Sequence, residues 1–324
     1  MDPALTEPVD PRLLPLVECS RAFYADRAAG RGPGSPEELH AARAGLPAPT
    51  ASQPPAVDLV ACVGDRGVPL RIHTPVDRPA TGVLLEIHGG GFYLGSAAGS
   101  DIRNRRLADA LGVAIASVDY RLAPEHPWPA APDDCETAAL WLAENASDRF
   151  GATKLAIVGF SAGATLATTT LLRLRDRGIH AVDAAVLEFG TYDLSAQTAA
   201  GRLIADEYFL EAYGGDAPDR TDPDLSPIYA DLGGLPPILM VVGDADVLLE
   251  DNLAMAARLS AAGVDLDLRV YPASPHGFTA HQTPMARAAL DDIEAWLGGH
   301  LERRRHRKPR DWTRGSAGGA RGGS

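Results

Sequence analysis

His88-Gly89-Gly90-Gly91 and Gly159-Phe160-Ser161-Ala162-Gly163 are the two stretches of this chain whose residue types and spacing can do chemistry together. A serine hydroxyl is a weak nucleophile. It needs a base to take its proton and N–H donors to hold the oxyanion that its attack creates. The G-x-S-x-G pattern sets Ser161 on a tight strand-to-helix turn, where flanking glycines let the backbone double back without a Cβ clash, and a glycine-rich loop of the H-G-G-G type offers N–H groups to the oxyanion. In a chain with 33 glycines among 324 residues the pentapeptide alone is weak, so its surroundings decide. Upstream, residues 154–158 form a short apolar run that reads as a buried parallel strand; downstream, 162–177 carries Leu166, Leu171 and Leu174 at helical spacing before Gly178. The strand-turn-helix that the motif requires is present, and it outweighs the reading of Ser161 as a structural turn residue.

Such a nucleophile takes its partners in the order Ser, acid, His, with the acid after a late strand and the histidine after the last one. Gly243-Asp244-Ala245-Asp246 directly follows the apolar run 238–242, where the active sites of open parallel sheets gather. Asp246 is the expected acid and Asp244 its main rival; Glu250 and Asp251 fall where the next helix begins and suit its N-terminus. Of nine histidines, His276 in Ser274-Pro275-His276-Gly277-Phe278 follows the last strand, with His281 as the nearby alternative.

To position these residues, the pattern predicts strands at 57–63, 68–73, 83–88, 113–118, 155–158, 184–189, 238–242 and 266–271. Helical segments at 101–111, 132–149, 162–177, 250–262 and 285–301 separate most of those after the third. This alternation implies an α/β fold: a mostly parallel eight-stranded sheet covered by helices on both faces, with the leading strands as a hairpin at one edge. Residues 1–50 hold helical patterns at 11–25 and 36–45 and are expected to lie over or beside the sheet as a cap. The catalytic domain is expected over 51–302, interrupted by an insertion at about 190–236 with helical character near 199–213, read as a second part of a lid. Residues 303–324 read as a basic disordered tail: they hold eight Lys/Arg against Asp311, about +7, which set against the whole chain's −13 leaves about −20 on the rest.

That acidic body argues against nucleic acid as a partner. Cys19, Cys62 and Cys135 are odd in number and lack metal-ligand spacing, so they read as reduced thiols. The first residues show no basic segment followed by an apolar one, and no apolar run approaches membrane-spanning length; a cytoplasmic protein without stable membrane insertion is expected.

Taken together, His88-Gly89-Gly90-Gly91-Phe92, Asp119-Tyr120-Arg121-Leu122-Ala123-Pro124-Glu125-His126, Gly159-Phe160-Ser161-Ala162-Gly163, Asp246-Val247-Leu248 and His276-Gly277-Phe278 resemble the hormone-sensitive-lipase family, the bacterial family IV carboxylesterases. The likeness runs over roughly residues 55 to 300. It implies the α/β-hydrolase fold, a triad of Ser161, Asp246 and His276, oxyanion-hole N–H groups from Gly90, Gly91 and Ala162, and a cap over the pocket. The activity it implies is hydrolysis of short- to medium-chain acyl esters through an acyl-enzyme, with a small-molecule ester as partner and with neither cofactor nor metal. A homodimer is compatible with it. An amidase, arylformamidase or acetyl-metabolite hydrolase would use the same triad, and a non-hydrolytic receptor is the alternative from another class. Phe160 stands where the family usually has Asp or Thr, and Val247 where it commonly has Pro. The 120–126 stretch and His88 are read as structural, bracing the glycine loop.

Overall fold

Eight strands form one sheet in a computed structural model that describes residues 10–27 and 32–301; the expected tail at 303–324 lies outside the described residues. The strands are β1 (Val57–Val63), β2 (Arg66–His73), β3 (Val83–Ile87), β4 (Ala114–Val118), β5 (Leu155–Phe160), β6 (Ala184–Glu188), β7 (Ile238–Gly243) and β8 (Leu266–Tyr271). Their order across the sheet is β1-β2-β4-β3-β5-β6-β7-β8. β1 and β2 pair antiparallel at one edge, as expected, β2 also runs antiparallel to β4, and the rest are parallel. From β3 to β7 the strands are almost continuously buried, which is why they read as apolar runs and not as alternating ones.

Successive side chains point to opposite faces, and each face has its own core. Leu85, Ile87, Ile157 and Leu187 pack with Leu142 of α4 (Ala130–Phe150) and Leu166 of α5 (Ala162–Asp176). On the other face Leu84, Val158 and Val186 pack with Leu107 of α3 (Asp101–Leu111) and with Ile293 and Leu297 of α8 (Pro284–Leu301).

The N-terminal segment is a 3-10 turn, Pro11–Leu16, running into α1 (Val17–Tyr24), followed by α2 (Pro36–Gly45). Pro36 follows the N-cap Ser35, whose hydroxyl takes the Glu38 N–H, a strong start signal visible in sequence. Within the insertion the helical character expected near 199–213 is split between a 3-10 turn, Gly201–Ile204, and α6 (Tyr208–Gly214). Before them, the Asp193 carboxylate takes the N–H groups of Ser195 and Thr198 and holds 195–198 as side-chain-capped turns. The remaining helix, α7 (Leu249–Ala261), follows β7. Among the described residues no helix is long and apolar enough to cross a membrane.

Candidate active site

The turn that carries Ser161 is set by two close approaches. A Cβ on Gly159 would sit 2.2 Å from the Gly163 carbonyl oxygen, and one on Gly163 would sit 2.0 Å from that of Ile87, so neither position tolerates a side chain. Ser161 itself takes the strained conformation, φ 55° and ψ −120°, and its N–H is held by the Glu188 carbonyl at 2.9 Å. Its Oγ thereby stands at the C-terminal end of β5, where α5 begins.

From there a chain of hydrogen bonds runs across the loops after β8 and β7. Ser161 Oγ lies 2.9 Å from His276 Nε2. His276 Nδ1 lies 3.1 and 3.0 Å from the two oxygens of Asp246, so the carboxylate selects the tautomer with Nδ1–H and leaves Nε2 free to accept. Asp246 is buried, and its Oδ1 also takes the Leu248 N–H at 2.8 Å. The rivals lie elsewhere. Asp244 and Glu250 are exposed, while His281 accepts or donates to the Tyr24 hydroxyl at 2.9 Å. Asp251 lies in the first turn of α7 as expected, but it is buried and its carboxylate takes the Tyr192 N–H at 2.5 Å, toward the insertion.

Opposite Ser161, Gly90 (φ 120°) and Gly91 (φ 59°) adopt backbone that a side chain rarely allows, and a Cβ on Gly90 would strike the Leu94 carbonyl at 2.1 Å. Among the described residues the N–H groups of Gly90 and Gly91 find no backbone acceptor. Ala162 opens α5, so its N–H has no intrahelical acceptor either. The loop is braced from below, as expected for His88 and the 120–126 stretch. His88 Nδ1–H donates to the Gly89 carbonyl at 2.8 Å, its ring stacks on Tyr120 at 4.2 Å, and the Tyr120 hydroxyl donates to the His88 carbonyl at 2.9 Å. Burial pushes the His88 pKa down and keeps the ring neutral. Ala123 N–H reaches the Phe92 carbonyl, and Glu125 pairs with Arg43 of α2.

Phe160 makes the surroundings aromatic: its ring meets Phe189 edge-on at 4.6 Å, and Phe189 in turn meets the His276 ring edge-on at 5.1 Å. Together with Gly89, Arg103 and Thr279 it lines a cavity of about 950 Å³ between α3 and α8. Glu86 and Glu188, buried at the C-terminal ends of β3 and β6, escaped the sequence reading because both sit inside apolar runs. A charge within an otherwise apolar strand was the signal that could have found them.

The model of a family described by its α/β-hydrolase fold matches residues 84–280. The carboxylic ester hydrolase LipN of Mycobacterium tuberculosis is 33% identical over 293 residues, covering 83% of this chain and 77% of that protein. An arylesterase of Saccharolobus solfataricus is 34% identical over 247 residues, covering 71% and 80% respectively. Among solved structures, a hyperthermophilic esterase from the archaeon Pyrobaculum calidifontis superposes with a TM-score of 0.70 at 33% identity, over 75% of this chain and 85% of that one.

Proposed function

Because the chain belongs to the α/β-hydrolase family, in its hormone-sensitive-lipase branch, and is a carboxylic ester hydrolase, we propose that Ser161, His276 and Asp246 are its triad and that it cleaves short- to medium-chain acyl esters through an acyl-enzyme. The observation that carries this is the unbroken relay from Ser161 Oγ through the His276 ring to both oxygens of Asp246.

Ser161 Oγ attacks the ester carbonyl as His276 Nε2 takes its proton, and Asp246 stabilises the imidazolium while fixing the ring. The N–H groups of Gly90, Gly91 and Ala162 hold the oxyanion. Collapse of the tetrahedral intermediate expels the alcohol, protonated from His276, and leaves the acyl group on Ser161. Water, deprotonated by His276, then releases the acid and restores the serine.

The N-terminal helices and the insertion at 190–236 act as a cap that closes the pocket. Arg43 supports this role for α2, since its guanidinium donates to the Tyr93 carbonyl at 3.0 Å and the Ala123 carbonyl at 2.6 Å. Tyr208 and Phe209 of α6 support it for the insertion, lying 6.2 and 6.5 Å from the Tyr93 ring. So small a cap encloses a pocket and not a lipid-binding surface, which favours acyl chains of about C4 to C8. Initial rates on p-nitrophenyl esters from acetate to palmitate, for the wild type and Ser161→Ala, test both points. The expected result is a maximum at short chains that the serine substitution abolishes. Interfacial activation on long triglycerides, or turnover surviving in Ser161→Ala, would overturn the reading.

A further inference from the structure

We propose that Glu188 is a positioning residue, whose single buried position aligns the nucleophile turn, the histidine loop and the helix that follows the glycine loop. The proposal rests on the Ser161–His276–Asp246 reading. Glu188 ends β6 and is 0% exposed, a costly place for a carboxylate unless its oxygens are fully engaged. They are engaged by residues from two of the segments that carry the site. Oε2 takes the hydroxyl of Thr279 at 2.7 Å. Oε1 takes the guanidinium of Arg103, on α3. The third segment is held by the main chain, through the bond from Ser161 N–H to the Glu188 carbonyl.

Each partner stands where a small displacement would reach the reacting atoms. Thr279 is buried in the 3-10 turn Phe278–Ala280, three residues beyond His276, and Gly277 between them has φ 73°. The turn is tight: Phe278 N–H bonds back to Pro275 and Ala280 N–H to Gly277, so a shift at Thr279 passes to His276 through very few torsions. Asp246 fixes the His276 ring from one side only, along Nδ1. Glu188 fixes the backbone that carries the ring from the other. Arg103 is wedged between Glu188 and the Phe160 ring, 5.5 Å from its centroid, so it also presses on the residue preceding the nucleophile.

The same sheet face holds a second carboxylate of this kind. Glu86, two residues before His88, accepts from Ser100 at 2.9 Å, from Asn104 at 3.2 Å and from Ser117. It ties α3 to β3 and β4 without touching the histidine loop. Of the two carboxylates, Glu188 is the one that connects α3 to the segments carrying His276 and Ser161, which separates its role from general support of the fold.

Thr279 gives the decisive test, because Thr279→Val removes one hydroxyl, keeps the shape and leaves the Glu188–Arg103 pair intact. Active sites are titrated with a serine-directed phosphonate, so that kcat is counted per competent enzyme. A histidine shifted by a fraction of an ångström lowers kcat about tenfold in Thr279→Val while KM stays within about twofold, and the rate of phosphonylation falls in step. Thr279→Ser, which restores the hydroxyl, returns kcat to within about twofold of the wild type. Glu188→Gln, measured alongside, loses more than Thr279→Val because it disturbs both partners. If Thr279→Val lowers the melting temperature but keeps the wild-type kcat and phosphonylation rate, Glu188 is structural only and the proposal is overturned. Failure of the underlying triad looks different: wild-type enzyme would then turn over esters without reacting with the phosphonate.

Discussion

On the α4/α5 face, the catalytic end of the sheet is held by rings: Phe92 stacks on Tyr213 at 3.8 Å with planes 8° apart, and Phe209 stands 6.2 Å away. On the α3/α8 face the rings of Phe160 and Phe189 are joined by buried charge, through Glu86, Glu188, Arg103 and the hydroxyls around them. The first arrangement is non-directional, so a displaced ring still finds apolar neighbours. The second is directional, since each carboxylate must keep named donors or remain buried without compensation. The consequence lies in what each side moves. Rings on the first face meet the glycine loop and the insertion, which meet substrate; the charges on the second meet the histidine loop, where tolerance for displacement is smallest.

The sharpest cut falls at the seam between the faces. Ser161→Ala removes the proposed nucleophile and little packing, so turnover of a small ester should fall by at least about three orders of magnitude with the melting temperature nearly unchanged. Activity above about a tenth of wild type would mean that the nucleophile lies elsewhere. Asp246→Asn should cost about as much, because an amide cannot hold His276 in the Nδ1–H tautomer and stabilise the imidazolium, whereas Asp244→Asn alters an exposed side chain and should leave kcat within about twofold. The reverse ordering would transfer the acid's role to Asp244.

Stability measurements sharpen the contrast itself. Phe92→Ala should destabilise by about 3 kcal/mol or more, and Phe92→Met should recover most of that, since another flexible apolar chain refills the space against Tyr213. Glu86→Leu is also apolar and of similar bulk, yet it strands Ser100, Asn104 and Ser117 without their acceptor, at about 1–3 kcal/mol for each unmet group. Denaturant midpoints at matched m-values compare the two variants. If Glu86→Leu costs less than Phe92→Met, charge is not what holds the α3/α8 face.

Much of this framework was legible beforehand, for physical reasons that can be named. β8 (Leu266–Tyr271) and α3 (Asp101–Leu111) appear at the predicted bounds because apolar runs and helical periodicity are local signals. For the proposed triad, the order Ser, acid, His points to one loop each, and in the structure His276 lies against Ser161 and Asp246 against His276. The insertion was less legible. Its expected helical character at 199–213 is split between a 3-10 turn, Gly201–Ile204, and α6, Tyr208–Gly214, a break that periodicity does not register. Glu188 was hidden for a deeper reason: its significance depends on Arg103 and Thr279, 85 and 91 residues away, and nothing local announces such a pairing.

Asp251 offers the smallest effect and the finest probe, since it is a buried carboxylate on the aromatic side of the molecule, outside the charged cluster. It anchors the insertion to α7 by taking the N–H groups of Tyr192 and Asp193 at 2.5 and 3.4 Å. Burial pushes its pKa up to about 6, and those N–H bonds only partly offset the burial. A carboxyl whose folded pKa is raised favours the native state when protonated. Its contribution is fully present below its ordinary value near 3.8 and is lost as pH rises through about 6. A shift of that size corresponds to about 3 kcal/mol at most, or several degrees in melting temperature for a chain of this length. Asp251→Asn mimics the protonated form at every pH. Between pH values near 4.5 and 7.5, the wild type should therefore lose several degrees relative to Asp251→Asn, most of it below about pH 6 and little above, whatever the other carboxylates do in both proteins. Parallel melting curves across that range would show that the insertion is held by its ring contacts alone, and that directional charge is confined to the face beneath the histidine loop.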